Sequence, residues 1–270
     1  MTLRSLLLAL SPVFLMLGCA TTPSDPAALA AFKANNDPLE PMNRGVFAFN
    51  QAIDSAVIKP IAKGYVQVLP QPVRDGLRNA VSNLNEPVVF ANNVLQGQFR
   101  RSGTTAGRFL LDSTFGLAGF VDVARREGLK KQTGDLGQTF HAWGFPEGPY
   151  LVIPILGPSN PRDAAGLGLE VYLDPFRYIT SNDDFPKAAT YAPGIVGGID
   201  ERSRNIDKLD AIRKEAIDFY ASLRSLFRQN RAAELRGDGD SAAPQQEGLY
   251  DDPGSEAPEK GGEDRAKVNR

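Results

Sequence analysis

The segment QPVRDGLRNAVSNLNEPVVFANNVLQGQF, residues 71–99, carries the periodicity that decides the fold. Apolar residues recur in it at spacings of three and four, which places them on one face of an α-helix. Two successive helices are predicted from two such sets: Val73, Leu77, Ala80 and Leu84, then Val88, Ala91, Leu95 and Phe99. The remaining face of the second helix is polar but uncharged and carries Asn92, Asn93, Gln96 and Gln98.

Helical periodicity continues on both sides of this segment. An upstream helix is predicted from Val46, Phe49, Ile53 and Val57. Downstream, a helix rich in small residues is predicted from near Ser102 towards Phe115, and a single long amphipathic helix over residues 206–235. The fold class is therefore mainly α.

Residues 145–198 interrupt the helices with eight prolines and are predicted to form Pro- and Gly-rich loops. Asn160 is predicted to cap a helix whose first residue is Pro161. Residues 150–156 are apolar and extended, but Pro154 makes a central strand unfavourable, so a loop or an edge strand is predicted.

Composition excludes several functional classes. The chain has 270 residues, a net charge of −2, one Cys and one His, so an internal disulfide and a multi-Cys or multi-His metal site are excluded. A charge-driven nucleic-acid partner is not expected. P-loop and G-x-S-x-G motifs are absent from the sequence, so we expect no enzyme and no cofactor. His141 is either a general base or, as we favour, a hydrogen-bonded residue in a turn beside Trp143.

The two termini differ from the rest of the chain. Residues 1–18 are predicted to be a lipoprotein signal peptide, because a short apolar run ends at Gly18-Cys19 and Cys19 is the single thiol. Cys19 is therefore the predicted lipid anchor, and a signal peptide cut elsewhere is the alternative. Residues 19–36 are predicted to be a flexible tether. Residues 237–270 carry nine acidic and four basic side chains and are predicted to be a disordered acidic tail.

Several motifs in residues 37–231 resemble those of the MlaA (VacJ) family of outer-membrane lipoproteins. They are Asp37-Pro-Leu-Glu40-Pro-Met-Asn43-Arg44, Phe47-Ala-Phe49-Asn50, Asn85-Glu-Pro87, Arg108-Phe109, Gly116-Leu-Ala-Gly119, Asp135-Leu-Gly-Gln138, Trp143-Gly144 and Gly148-Pro149-Tyr150. One departure is Asp218-Phe219-Tyr220, where the family usually has Asp-Pro-Tyr. A Pro at that place would start or kink a helix, so the boundary of the last helix is left open.

The resemblance implies a domain, residues 37–236, built as a ring of amphipathic helices in the membrane plane. It implies an outer-membrane phospholipid transport protein on the periplasmic face of a Gram-negative bacterium, lipid-anchored and without catalytic activity. Its implied partners are phospholipids, a periplasmic lipid carrier of the MlaC type and a trimeric porin. The alternatives are a structural lipoprotein that scaffolds porins without moving lipid, and a lipid hydrolase that uses His141.

Two groups of residues are candidates for the site that this role requires. The first is a lipid path lined by Asn92, Asn93, Gln96, Phe47 and Phe49, because uncharged amides cost less to desolvate than carboxylates. An ordinary polar helix surface is the alternative for the amides, and core packing is the alternative for the two phenylalanines. The second group, Asp37, Glu40, Asn43 and Arg44, is predicted to fix a loop through caps and ion pairs, with either a gating or a structural role.

Overall fold

The structure, a computed structural model, describes residues 20–180 and 187–237. It confirms a mainly helical fold. The helices are α1 (Pro26–Asn35), α2 (Glu40–Ile53), α3 (Lys59–Val68), α4 (Gln71–Leu95), α5 (Phe99–Thr114), α6 (Val123–Arg126), α7 (Leu136–Ala142), α8 (Pro161–Leu173), α9 (Pro175–Thr180), α10 (Lys187–Arg204), α11 (Ile206–Glu215) and α12 (Phe219–Arg236). A π-helical turn, Asp54–Ile58, joins α2 to α3 without a break. Within the described ranges, no helix combines the length and apolarity needed to cross a membrane.

Helix α4 is the central element of the fold. It packs along α5 and also contacts α7 and α10, while α3 packs on α10 and α7 on α8. The prediction of two helices in residues 71–99 is wrong, because Pro87 lies inside one continuous 25-residue helix. A proline there removes one backbone hydrogen bond, and packing against α5 supports the helix on both sides of it. Phe99 starts α5 instead, after Gly97 turns the chain with a φ of +72°.

The predicted single helix over residues 206–235 is also wrong. Ala216 is extended, and the Asp218 carboxylate accepts a hydrogen bond from the backbone N–H of Ala221, which starts α12 as a separate helix. An N-terminal cap of this kind satisfies a backbone donor that has no partner inside the helix. Helix α12 ends at Gly237, whose φ of +85° gives a left-handed C-terminal cap.

The segment predicted as a tether holds helix α1, which corrects the expectation of an irregular chain there. Five of its ten residues are alanine, the residue with the highest helix propensity, although no apolar stripe marks the segment. The residues next to α1 are tied to the body, because Ala20 N–H donates to the Pro38 carbonyl at 2.8 Å and Tyr150 N–H to the Asn36 carbonyl at 2.7 Å. The signal peptide, Cys19 and residues 238–270 lie outside the described residues.

The prediction of loops throughout residues 145–198 is wrong, because the described part of this region forms a small hairpin followed by helix α8, helix α9 and most of α10, with Pro193 inside α10. Strands β1 (Leu151–Ile153) and β2 (Gly157–Ser159) pair antiparallel, with Leu151 opposite Ser159. The Asn160 side chain accepts from Asp163 N–H at 2.9 Å, and Pro161 is the first residue of α8, which confirms the predicted helix start.

Polar and apolar side chains are distributed in the reverse of the usual way for a water-soluble protein. Among the described residues, nineteen polar or charged residues are buried, against seven apolar ones. Twenty-seven large apolar residues are exposed. Helix α4 shows the inversion on its own, since Glu86 and Asn92 are buried while Phe90 and Leu95 are exposed. Exposed apolar surface on this scale indicates a partner other than water, such as lipid or protein.

Candidate functional site

The predicted loop-fixing residues form a hydrogen-bonded cluster that joins the beginning of α2 to α12. Asp37 is 1% exposed and accepts hydrogen bonds from Asn43 Nδ2 at 2.8 Å, Tyr220 Oη at 2.5 Å and Arg224 Nη1 at 2.6 Å. Residues more than 180 positions apart in the chain therefore meet on one carboxylate. We call Asp37, Asn43, Tyr220 and Arg224 the N–C junction.

The two remaining residues of this motif lie at the outer side of the junction. Glu40 reaches Arg224 at 3.3 Å and Arg44 at 2.8 Å, and Arg44 also pairs with Asp218 at 2.5 Å. The Arg44 guanidinium stacks over the Tyr220 ring at 4.5 Å from its centroid. Burial, followed by the hydrogen bond to Asp37, raises the pKa of the Tyr220 hydroxyl, so Tyr220 stays a neutral donor. The motif therefore holds the beginning of α2 and α12 together.

Two asparagines on α2 also fix the hairpin. Asn43 Nδ2 donates to the Tyr150 carbonyl at 3.0 Å and its Oδ1 accepts from Val152 N–H at 2.9 Å. Asn50, seven residues later on the same helix face, donates to the Ile153 carbonyl at 3.0 Å and accepts from Ile155 N–H at 2.7 Å. These amides satisfy backbone groups of β1 and of the residues on either side of it.

Phe47 and Phe49 point to different environments. Phe47 packs against the buried cluster of Tyr150, Val152 and Tyr220, with its ring centroid 5.4 Å from that of Tyr220. Phe49 is 51% exposed on the outer surface. Phe47 thus belongs to the core, and Phe49 to the exposed apolar surface.

The predicted lipid-path amides lie in a network between α4, α7 and α8. Asn92 donates to Glu170 Oε1 at 3.2 Å and accepts from Thr139 Oγ1 at 2.7 Å, while Gln96 donates to Thr139 at 3.0 Å. Asn93 donates to Thr105 on α5 at 3.4 Å. Asn92 and Asn93 are 3% and 0% exposed.

This geometry is that of a polar network between helices. Neither asparagine, nor Gln96, is among the residues that line three sizeable cavities in the described part of the chain. The alternative of a polar outer surface is wrong for Asn92 and Asn93, because both are buried. A role in lipid passage stays a prediction for all three amides.

Sequence reasoning missed the residues that line two sizeable cavities. One has a volume of about 630 Å³ and the other about 490 Å³. Their walls share Arg78, Ser82 and Glu86 of α4 and Lys131 from the loop after α6. Glu86 and Arg108 stand inside motifs quoted above, but the sequence carries no signal that these charged side chains turn inward.

The smaller of these cavities is built around a buried charge network. Arg108, whose side chain is 4% exposed, lies 3.3 Å from Glu86, 3.6 Å from Asp112 and 3.2 Å from Asp122. Burial raises the pKa of Glu86 even though Arg108 opposes the shift. The second carboxylate oxygen of Glu86, Oε2, is buried with no hydrogen-bond partner among the described residues.

His141 lies exposed in the last turn of α7. Its Nδ1 is 3.3 Å from the Arg162 guanidinium. Because a guanidinium only donates, this contact occupies the lone pair that a general base would need. The contact favours a hydrogen-bonded structural role over catalysis.

Three comparisons with known proteins agree with one another. A family profile described as "MlaA lipoprotein" matches residues 35–234. The chain is 30% identical to the "Intermembrane phospholipid transport system lipoprotein MlaA" of Escherichia coli strain K12, over 91% of this chain and 93% of that protein. The protein of the same name from Haemophilus influenzae is 30% identical, over 85% of this chain and 90% of its own length.

A Rickettsia felis protein described as "Uncharacterized protein" is 34% identical over 74% of this chain and 78% of its own length. A solved structure, reported as "Structural basis for maintenance of bacterial outer membrane lipid asymmetry", matches with a TM-score of 0.64 and 28% identity. The match covers 74% of this chain and 98% of that one.

Proposed function

Because this chain belongs to the MlaA lipoprotein family, we propose that it is a membrane-anchored phospholipid transport protein. It removes mislocalised phospholipid from the outer leaflet of an outer membrane and passes it to a periplasmic carrier. The names of its E. coli and H. influenzae relatives support the transport role.

The single observation that carries the proposal is the inverted distribution of side chains. Exposed apolar residues on α2–α5 and α8, including Phe49, Phe90 and Leu110, suit contact with acyl chains. Buried polar side chains and the two cavities, whose walls both carry charged side chains, suit a hydrated interior that accommodates a headgroup. A domain with both surfaces can let a lipid keep its tails in hydrocarbon while its headgroup moves through a polar route.

The anchoring and the partners are part of the same proposal. Cys19 carries the lipid anchor and residues 1–18 are removed. The domain 37–236 forms a ring of amphipathic helices, and the N–C junction fixes the first helix of this ring to the last. A carrier of the MlaC type receives the lipid. The apolar face of the protein is held beside a trimeric porin. No chemical reaction is catalysed.

Lipid that co-purifies with the chain distinguishes transport from porin scaffolding. The full-length lipoprotein is extracted in a mild detergent, separated from porin, and analysed for phospholipid by mass spectrometry. Close to one phospholipid or more per chain, released on incubation with a periplasmic carrier, supports transport. A porin-binding chain that carries no phospholipid contradicts transport and supports the scaffold alternative.

A further inference from the structure

The structure points to a phosphate-binding site in the 490 Å³ cavity, and we propose that it holds the phosphodiester of a phospholipid headgroup, with Lys131 as its ion-pair partner. This inference rests on the proposed function for the identity of the lipid. It concerns residues of α4, α5 and the segment 122–131 that the sequence did not mark as a site.

The charge of the cavity wall selects an anion. Five cationic side chains line it: Arg78, Arg108, Arg125, Lys130 and Lys131. Its three carboxylates, Glu86, Asp112 and Asp122, all lie within 3.6 Å of the Arg108 guanidinium. The wall therefore carries a net charge of +2, and the carboxylates converge on the one cation that is deeply buried.

The other cations of the wall differ in how far they are already paired. Arg78 pairs with Asp75 at 2.7 Å, outside the cavity wall. Among the described residues, no carboxylate lies within ion-pair distance of Arg125, Lys130 or Lys131. All three residues are exposed, so water solvates their charges when no ligand is present. An anion that enters the cavity therefore meets cations with no carboxylate partner to displace.

Lys131 is the cation best placed to meet a ligand. It lines both large cavities, so its side chain stands where they adjoin along α4. The residue is exposed, and burial of its ammonium lowers its pKa against the opposing attraction of Glu86.

The Glu86–Arg108 pair gives the cavity a second polar feature. Glu86 lines the cavity, and its Oε2 is fully buried without a hydrogen-bond partner among the described residues, on a side chain that is 3% exposed. Such an atom costs free energy unless a ligand or water donates to it. A phosphoethanolamine headgroup carries an ammonium, whose charge is opposite to that of Glu86, and a phosphate, whose charge is opposite to that of Lys131. One headgroup is therefore complementary in charge to both residues.

Direct binding of headgroup analogues tests the site. The full-length chain in detergent, freed of bound lipid, is titrated by calorimetry with sn-glycero-3-phosphoethanolamine and, separately, with inorganic phosphate. The phosphodiester is expected to bind the wild type. Lys131→Gln is expected to weaken this binding at least about tenfold, as for loss of one charge-assisted hydrogen bond. Lys131→Arg is expected to retain binding.

The control variant is Lys208→Gln, which makes the same change at an exposed lysine outside the cavities and is expected to leave the affinity unchanged. Circular dichroism verifies that each variant is folded. Equal affinity of Lys131→Gln and wild type, or no binding by the wild type, overturns the inference. Tighter binding of inorganic phosphate than of the phosphodiester overturns its assignment to a lipid headgroup.

The experiments distinguish failure of the phosphate-site assignment from failure of the proposed function. If the chain clears phospholipid from the cell surface while Lys131→Gln binds headgroup analogues like the wild type, only the site assignment fails. If a deletion strain shows no change in surface phospholipid, the transport role fails whatever the calorimetry gives.

Discussion

Replacing Asp37 by Asn removes one negative charge from the N–C junction with little change in shape. The buried Arg224, whose side chain is 8% exposed, then retains only Glu40 at 3.3 Å as a charged partner. Leaving a buried cation with no partner costs about 3–5 kcal/mol. Since Glu40 compensates in part, we expect a loss of about 3 kcal/mol in the free energy of unfolding.

For a folded region of this size, that loss corresponds to a decrease of about 6–12 °C in Tm. The assay is thermal unfolding of the full-length chain in detergent, followed by circular dichroism at 222 nm. Asp218→Asn is the matched control, because Asp218 pairs with Arg44 at the surface and an Asn still caps α12. The control is expected to lose less than about 1 kcal/mol.

Adding Arg224→Met to Asp37→Asn removes the unpaired cation as well. The double variant is therefore expected to be more stable than Asp37→Asn alone. Equal Tm values for Asp37→Asn and the Asp218→Asn control, or no recovery of Tm in the double variant, would refute the view that the Asp37 carboxylate holds the beginning of α2 and α12 together.

Three further predictions concern other parts of the chain. Cys19→Ala is expected to abolish incorporation of radiolabelled palmitate; labelling of the variant would contradict the lipid anchor. Asn92→Leu combined with Asn93→Leu is expected to lower Tm markedly, because both amides are buried in a network between helices; an unchanged Tm would favour side chains that face a water-filled lumen. Burial opposes ionisation of Asp163, but Arg231 and Arg162 outweigh it and hold its pKa below the ordinary value. The stabilisation by ionised Asp163 is complete above the unfolded-state pKa of about 3.9 and is lost as pH falls through the lower folded-state pKa. Tm of an Arg231→Met variant should therefore depend less on pH below about 5 than Tm of the wild type does.

The sequence alone predicted the helix content and those local features that have a single physical cause. The stripe of Val46, Phe49, Ile53 and Val57 predicted the helical stretch that begins at Glu40, and Asn160-Pro161 predicted the start of α8. It failed at Pro87 and at residues 216–218, where packing and a side-chain cap decide whether a helix continues. Helix α1 carries no apolar periodicity, so only the helix propensity of its five alanines indicates it.

The site was harder to predict because the apolar stripe of a helix does not say which medium it faces. In a water-soluble protein the stripe of α4 would be buried, yet Leu95 is exposed and Asn92 is buried. The N–C junction was recognised only as a motif, since no local pattern shows that Asp37 meets Arg224 across the whole domain. Glu86 and Lys131 gave no signal, because their position depends on how α4 and the loop after α6 enclose a cavity.

The most direct test of the account is the amount of phospholipid on the surface of cells that lack this chain. Intact cells are treated with a membrane-impermeant amine reagent, and labelled phosphatidylethanolamine is quantified against total lipid. The account predicts a rise in surface phosphatidylethanolamine on deletion and a return to the wild-type level when the full-length chain is supplied. Surface labelling that is unchanged by deletion, in cells whose porins remain at normal abundance, would contradict a role in phospholipid transport.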